Sequence, residues 1–208
     1  MHNSFGRAFR LEIEGASHSE SIRISIDGVP QGIALAVEDF EADLAQRRAG
    51  AMGTTPRVES DIPEIVGLVE GKTTGERISI IFRNNNTRSS DYNKFRHHPR
   101  PSHVDFVANS RWGEAIDLRG SGQFSGRMTV ALVAAGVVAK RLLGKDIDFT
   151  SEIVELGGSR DRNDFEQILL DAVADGDSVG GVIECRVKGL PVGLGEPFFD
   201  STESIISH

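Results

Sequence analysis

Three stretches carry residue types that can do acid–base or anion chemistry. His18 lies between Ser17 and Ser19 in the short connection Gly15-Ala16-Ser17-His18-Ser19-Glu20. An imidazole titrates near neutrality, so a histidine on such a loop can hand over a proton. A surface or capping histidine has the same local sequence. His97, His98 and His103 fall within ten residues, Arg96 to Asp105, together with two prolines and no cysteine. That spacing fits no zinc pattern and leaves proton transfer or anion binding, with no metal expected. The third stretch is Asp117-Leu118-Arg119-Gly120-Ser121-Gly122-Gln123-Phe124-Ser125-Gly126-Arg127, which runs into a long apolar segment. Glycines let backbone N–H groups approach a ligand, and a helix start carries partial positive charge, so this reads as a phosphate cradle or, in its plainer form, a flexible loop. Gly71-Lys72-Thr73 suggests a nucleotide loop, but the glycine required five positions earlier is Val66, and the segment joins two strands.

The chain has 208 residues and a formal net charge of -8. That balance argues against general binding to nucleic acids or anionic membranes. An arginine-rich RNA binder would have only Trp112, Tyr92 and scattered Phe to stack bases. The cations are nevertheless lopsided, with 18 Arg to 5 Lys. Arg47, Arg48, Arg57, Arg88, Arg100, Arg119 and Arg127 lie in expected loops or at a helix end, where folding could gather them around a small anion. No apolar run approaches the roughly 20 residues of a membrane helix, and the first residues show no secretory pattern. A single cysteine, Cys185, fits a reducing compartment, with the cytoplasm as the expectation.

The positioning elements follow from periodicity. Phe9, Leu11 and Ile13 alternate with charged residues, as do Ile22, Ile24 and Ile26, which predicts two half-buried strands. Val37 to Arg48 reads as a helix, with acids early and arginines late. Ile65–Val69 and Ile78–Phe82 read as the strands of a hairpin, and residues 83–126 as one long irregular stretch. Met128–Leu143 predicts a helix buried nearly all round. Asp164 is expected to cap a helix with Phe165, Ile168, Leu169, Ala172 and Val173 inward, and Ile183, Cys185 and Val187 mark another strand. A short helix begins near Ser201 or Thr202. The expectation is an α+β fold.

Taken together, the ordered pieces resemble the chorismate synthase family. They include Gly15-Ala16-Ser17-His18-Ser19, Asp27-Gly28-Val29-Pro30, Arg47-Arg48-Ala49-Gly50, Glu70 to Gly75, Asn86 to Tyr92 and Arg100-Pro101-Ser102-His103-Val104-Asp105. Asp117 to Gly122, Ala134 to Lys140 and Gly193-Leu194-Gly195-Glu196-Pro197 complete the set. The resemblance implies one domain over residues 1–208, a β-α-β sandwich with antiparallel sheets flanking a helical layer, and a homotetramer. It also implies members that run on past residue 208.

The activity the resemblance implies is conversion of 5-enolpyruvylshikimate 3-phosphate to chorismate by 1,4-anti elimination. Reduced FMN (FMNH2) is the implied cofactor, with NADPH as a candidate reductant. His18 maps onto the histidine that protonates the departing phosphate, and His103 onto the one beside the flavin. Arg47, Arg48, Arg100, Arg119 and Arg127 match substrate-binding positions; Ser17, Gln123, Phe124 and Ser125 match flavin-contacting ones. The chain departs from the family where Ala16 and Ser19 interrupt a usual Gly-Glu-Ser-His-Gly, where Ser102 stands for a glycine, and where Met52 and Gly53 stand near a usual arginine. Gln123-Phe124-Ser125-Gly126-Arg127-Met128 replaces Arg-Ser-Ser-Ala-Arg-Glu. A non-catalytic anion- or flavin-binding relative is the alternative.

Overall fold

The computed structural model describes residues 3–50, 52–54, 57–85 and 98–207. The chain divides into two compact units, Met1–Leu142 and Leu143–His208.

The first unit is built on a five-stranded sheet. Its strands are β1 (Ser4–Phe5), β2 (Arg10–Gly15), β3 (Ser21–Asp27), β4 (Glu64–Val66) and β7 (Ile78–Arg83), in the order β1-β2-β3-β7-β4 and all antiparallel. The expected alternation sets the register, with Ile24 opposite Ile13 on one side and Ile80 on the other. Ile22, Ile24, Ile26, Ile78, Ile80 and Phe82 are fully buried. They form one apolar cluster with Phe40, Leu44 and helix α3 (Thr129–Leu143). Each such side chain contributes about 1.5–3 kcal/mol by leaving water.

The helix expected at 37–48 is a 3-10 turn at Val37–Phe40 followed by α1 (Glu41–Arg47). α3 is less enclosed than its composition suggests. Val130, Ala131, Ala134, Ala135, Val137 and Val138 are buried, whereas Leu132 and Leu143 are half exposed. The strand expected at 65–69 is broken at Gly67, where a Cβ would sit 2.7 Å from the Arg77 carbonyl oxygen. β5 (Leu68–Val69) instead pairs with β6 (Lys72–Thr73). Thr73 is therefore structural: its hydroxyl donates to the Pro30 carbonyl (2.6 Å) and accepts from the Ile33 amide (3.0 Å).

The stretch expected to be irregular contains a helix, α2 (Asp105–Trp112). Only Asp105 and Ala108 of it are buried, and Phe106 and Val107 face solvent, so no apolar stripe announces it.

The second unit holds the antiparallel pair β8 (Asp148–Leu156) and β9 (Gly181–Lys188), helix α4 (Phe165–Asp175) and helix α5 (Thr202–Ser207). Asp164 does not cap α4. Its carboxylate takes the Ser159 hydroxyl (2.6 Å), while Asp161 caps the preceding 3-10 turn through the Asn163 amide. None of the α4 residues is buried, and Val173 is exposed.

Candidate functional site

His18 sits in the tight turn between β2 and β3. Ser19 closes that turn: its hydroxyl accepts from the Ala16 amide (2.8 Å) and lies 2.9 Å and 2.7 Å from the Ala16 and Ser21 carbonyl oxygens. The serine that departs from the family pattern thus satisfies local backbone groups. Against this turn lies the glycine-rich segment. A Cβ on Gly120 would come 2.4 Å from His18 Cδ2 and 2.5 Å from its Nε2. Gly122 has φ +55, and a Cβ there would meet the Asp117 carbonyl oxygen at 1.8 Å. Both positions exclude a side chain, and the Ser17 amide donates to the Gly122 carbonyl (3.0 Å).

Between these segments opens a cavity of about 570 Å³ lined by Ser17, His18, Arg47, Arg48, Arg57, Glu59, Asp61, Ser125 and Arg127, with Ala49, Gly120, Gly126 and Thr129 between them. Four guanidiniums face two carboxylates, so this lining is net positive. The carboxylates are buried and hold the cations in place. Asp61 accepts from Arg47 Nη1 (2.7 Å) and from Arg127 Nη1. Glu59 accepts from Arg57 Nε and Nη2 (3.0 and 2.6 Å). Arg57 in turn donates to the Ser17 hydroxyl (2.8 Å) and carbonyl (2.9 Å). Two guanidinium nitrogens in this cluster, Arg47 Nε and Arg127 Nη2, are buried with no hydrogen-bond partner among the described residues. A buried N–H left unsatisfied is costly, which makes both ready donors to an anion.

Burial lowers the pKa of His18 below the usual 6.5, and the charges of Arg57 and Arg119 lower it further, against the raising effect of Asp117 and Glu59. Desolvation disfavours the imidazolium, and neighbouring cations repel it.

His103 lies behind the same glycine turn, outside the described lining of the cavity. Its Nδ1 is 2.7 Å from Asp105 Oδ1, and its Nε2 is 3.0 Å from the Ser121 hydroxyl. Arg100 grips Asp105 in a fork at 2.7 and 2.9 Å, and holds that carboxyl down to about 2. Ser102, at φ +55, occupies a backbone conformation that favours the family's glycine. The two histidines therefore flank consecutive residues, Gly120 and Ser121.

Of the expected substrate residues, Arg47, Arg48 and Arg127 line the cavity, whereas Arg100 is committed to Asp105 and Arg119 to Asp117 (2.7 Å). Arg119 still acts on His18 through its charge. Of the expected cofactor residues, Ser17 and Ser125 line the cavity. Ser125 caps the turn that starts α3 by accepting from the Arg127 amide (3.2 Å). Gln123 and Phe124 are exposed, with Phe124 tilted against Trp112 at 5.8 Å. Arg88 and His97, and the segment Asn86 to Tyr92, lie outside the described residues. Glu59, Asp61 and Asn84 were not expected at all; the alternation Arg57-Val58-Glu59-Ser60-Asp61 was the available signal for the first two.

A family model described as chorismate synthase matches residues 9–208. The chain belongs to the chorismate synthase family. It is 55% identical over 207 residues to a chorismate synthase from Chitinophaga pinensis, covering 99% of this chain and 61% of that protein. It is 41% identical to a chorismate synthase from Ignicoccus hospitalis, covering 97% of this chain and 60% of that one. The chain thus spans about three fifths of the length of these relatives. A solved structure titled as a chorismate synthase superimposes with a TM-score of 0.66 at 22% identity, covering 91% of this chain and 60% of that one, which establishes the shared fold. The fold is α+β with antiparallel sheets, as the family resemblance implied. Among the described residues no helix is long and apolar enough to cross a membrane.

Proposed function

We propose that the protein converts 5-enolpyruvylshikimate 3-phosphate to chorismate and phosphate by 1,4-anti elimination. In this reaction the ring C–O bond to phosphate and a ring C–H bond break on opposite faces, and a new double bond forms. The observation that carries this reading is an imidazole, His18, set in a cavity with four guanidiniums, two of which keep a buried N–H with no partner among the described residues. Phosphate leaves more readily when its developing charge is clamped by fixed cations or neutralised by a proton.

His18 suits the acid role once an anion enters. In the free protein burial and the charges of Arg57 and Arg119 favour its neutral form. A multiply charged substrate offsets the field of Arg57 and Arg119, raises that pKa and loads the proton where the leaving group sits. Arg47 and Arg127, fixed by Asp61, hold the phosphate and carboxylates without reorganising.

The residues present also fit reduced FMN: the net positive lining of the cavity suits its phosphate. Ser17 and Ser125 would hold it from the cavity wall, and the family resemblance adds Gln123, Phe124 and His103 to its contacts. When bound, reduced flavin supplies electron density that helps phosphate depart and takes up the ring hydrogen. Asp105 and Arg100 hold the His103 ring at Nδ1 (2.7 and 3.2 Å), which turns Nε2 to the Ser121 hydroxyl (3.0 Å). The family resemblance supports NADPH as reductant and a homotetramer, and the single free cysteine, Cys185, supports a cytoplasmic setting.

The test is an anaerobic assay with reduced FMN and 5-enolpyruvylshikimate 3-phosphate, following chorismate absorbance. Turnover is expected; folded protein that binds both ligands and makes no chorismate overturns the proposal.

A further inference from the structure

Asn84 stands just past the end of β7, with its backbone amide donating to the Glu20 carbonyl (3.0 Å). Its side chain faces two ways. Oδ1 accepts from Arg127 Nε (3.2 Å), and Nδ2 donates to the carbonyls of Ser19 (2.8 Å) and Ala16 (3.2 Å). Those two carbonyls bracket Ser17 and His18. Reversing the amide would set its NH2 against a guanidinium N–H and its oxygen against two carbonyl oxygens, so the network admits one orientation. The other face of Arg127 is tied to Asp61, a carboxylate 2% exposed that also holds Arg47. The next residue, Asn85, donates its amide to Glu59 (2.9 Å), the carboxylate that holds Arg57.

We propose that Asn84 is a positioning residue that couples the Asp61–Arg127 anion clamp to the turn carrying His18. This rests on the lyase reading above, in which His18 is the proton donor and Arg127 an anion ligand. Asn84 is outside the described lining of the cavity and acts through the residues it holds. It sets the depth and angle of the imidazole relative to the guanidinium that grips the anion. Asp61 also has a left-handed backbone (φ 50), a conformation unfavourable for a residue with a Cβ. Strain of this sort persists where surrounding contacts over-determine it, as two arginines do here.

The experiment is a double-mutant cycle with His18→Ala and Asn84→Ala, measured on the protein as expressed from its gene. Asn84→Ala should lower kcat about tenfold or more, since small displacements of a catalytic group are costly. KM should stay within about threefold, because Arg47, Arg48 and Arg57 remain. In the His18→Ala background the same change should have little further effect on turnover. A purely structural role would instead multiply the two losses.

Asn84→Asp is the second variant. It keeps size and still accepts from Arg127, but sets a carboxylate against the Ala16 and Ser19 carbonyls, so kcat should fall as it does for Asn84→Ala. A third readout is independent of turnover: the His18 imidazole titration followed by NMR in the free protein. Its midpoint should rise toward the ordinary value in Asn84→Ala as the turn loosens and the ring hydrates. Independent, multiplicative kinetic losses together with an unmoved midpoint overturn the inference. If the wild-type protein makes no chorismate, the lyase reading falls, and the titration alone decides the role of Asn84.

Discussion

Gly120 has no room for a side chain, because His18 fills the space a Cβ would take. Gly120→Ala should therefore push the imidazole aside and lower turnover roughly a hundredfold. It should also cost about 1 kcal/mol of stability from a left-handed backbone, read as a lower melting temperature. Unchanged kinetics would mean that His18 sits elsewhere in the working protein. The charge around His18 makes a second expectation at this scale. Its midpoint lies below 6.5 because of burial, then Arg57 and Arg119. Arg119→Ala should raise the midpoint and Asp117→Asn should lower it, as an NMR titration would show; the opposite signs would contradict the electrostatic account. That His18, Arg47 and Arg127 meet around one cavity was legible in the sequence from their motif positions. Glu59, Asp61 and Asn84 were not. Their roles depend on which arginines reach them across the fold, and nothing local distinguishes a carboxylate that anchors a cation from one in solvent.

At the scale of elements, α2 is instructive. Asp105 stands in its first turn with no exposed side-chain surface, and Arg100 holds its carboxyl down to about 2 from 3.8. A carboxyl depressed in the folded state contributes stability that is complete above its unfolded value and is lost as pH falls through the folded one. The wild-type advantage over Asp105→Asn should be constant above about pH 5 and shrink by about 2 kcal/mol by about pH 2. Denaturant melts across that range check it; a difference independent of pH would contradict it. The sequence did not reveal α2 because its ordering comes from Asp105 and Ala108 rather than from an amphipathic stripe. β2 and β3 were legible for the opposite reason: their apolar residues recur every second position, as Ile22, Ile24 and Ile26 do on the buried face of β3. Periodicity alone runs β4 and β5 together, because it does not record the backbone approach at Gly67 that breaks the strand.

At the scale of the whole molecule, the two units differ in how they are stabilised. The first holds the cluster of fully buried Ile, Val and Phe residues; within the second, Ile183, Phe198, Phe199 and Ile206 are largely exposed. Amide exchange should therefore be slowest in β3, β7 and α3 and faster in β8, β9 and α4. Uniform protection across both units would contradict that ranking. The α+β class followed from alternating strands beside one long apolar helix, and the family from motifs spread over nearly the entire chain. The packing of α4 was overestimated because an apolar face in sequence says nothing about what covers it.

The central claim is that His18 delivers a proton to a leaving phosphate held by the arginines of one cavity. The most direct measurement compares His18→Ala with wild type in anaerobic turnover and in calorimetric binding of 5-enolpyruvylshikimate 3-phosphate. The account predicts a large loss in kcat with affinity nearly kept, since Arg47, Arg48, Arg57 and Arg127 are untouched. Parallel losses in affinity and turnover would reduce His18 to a ligand-positioning group and contradict the claim.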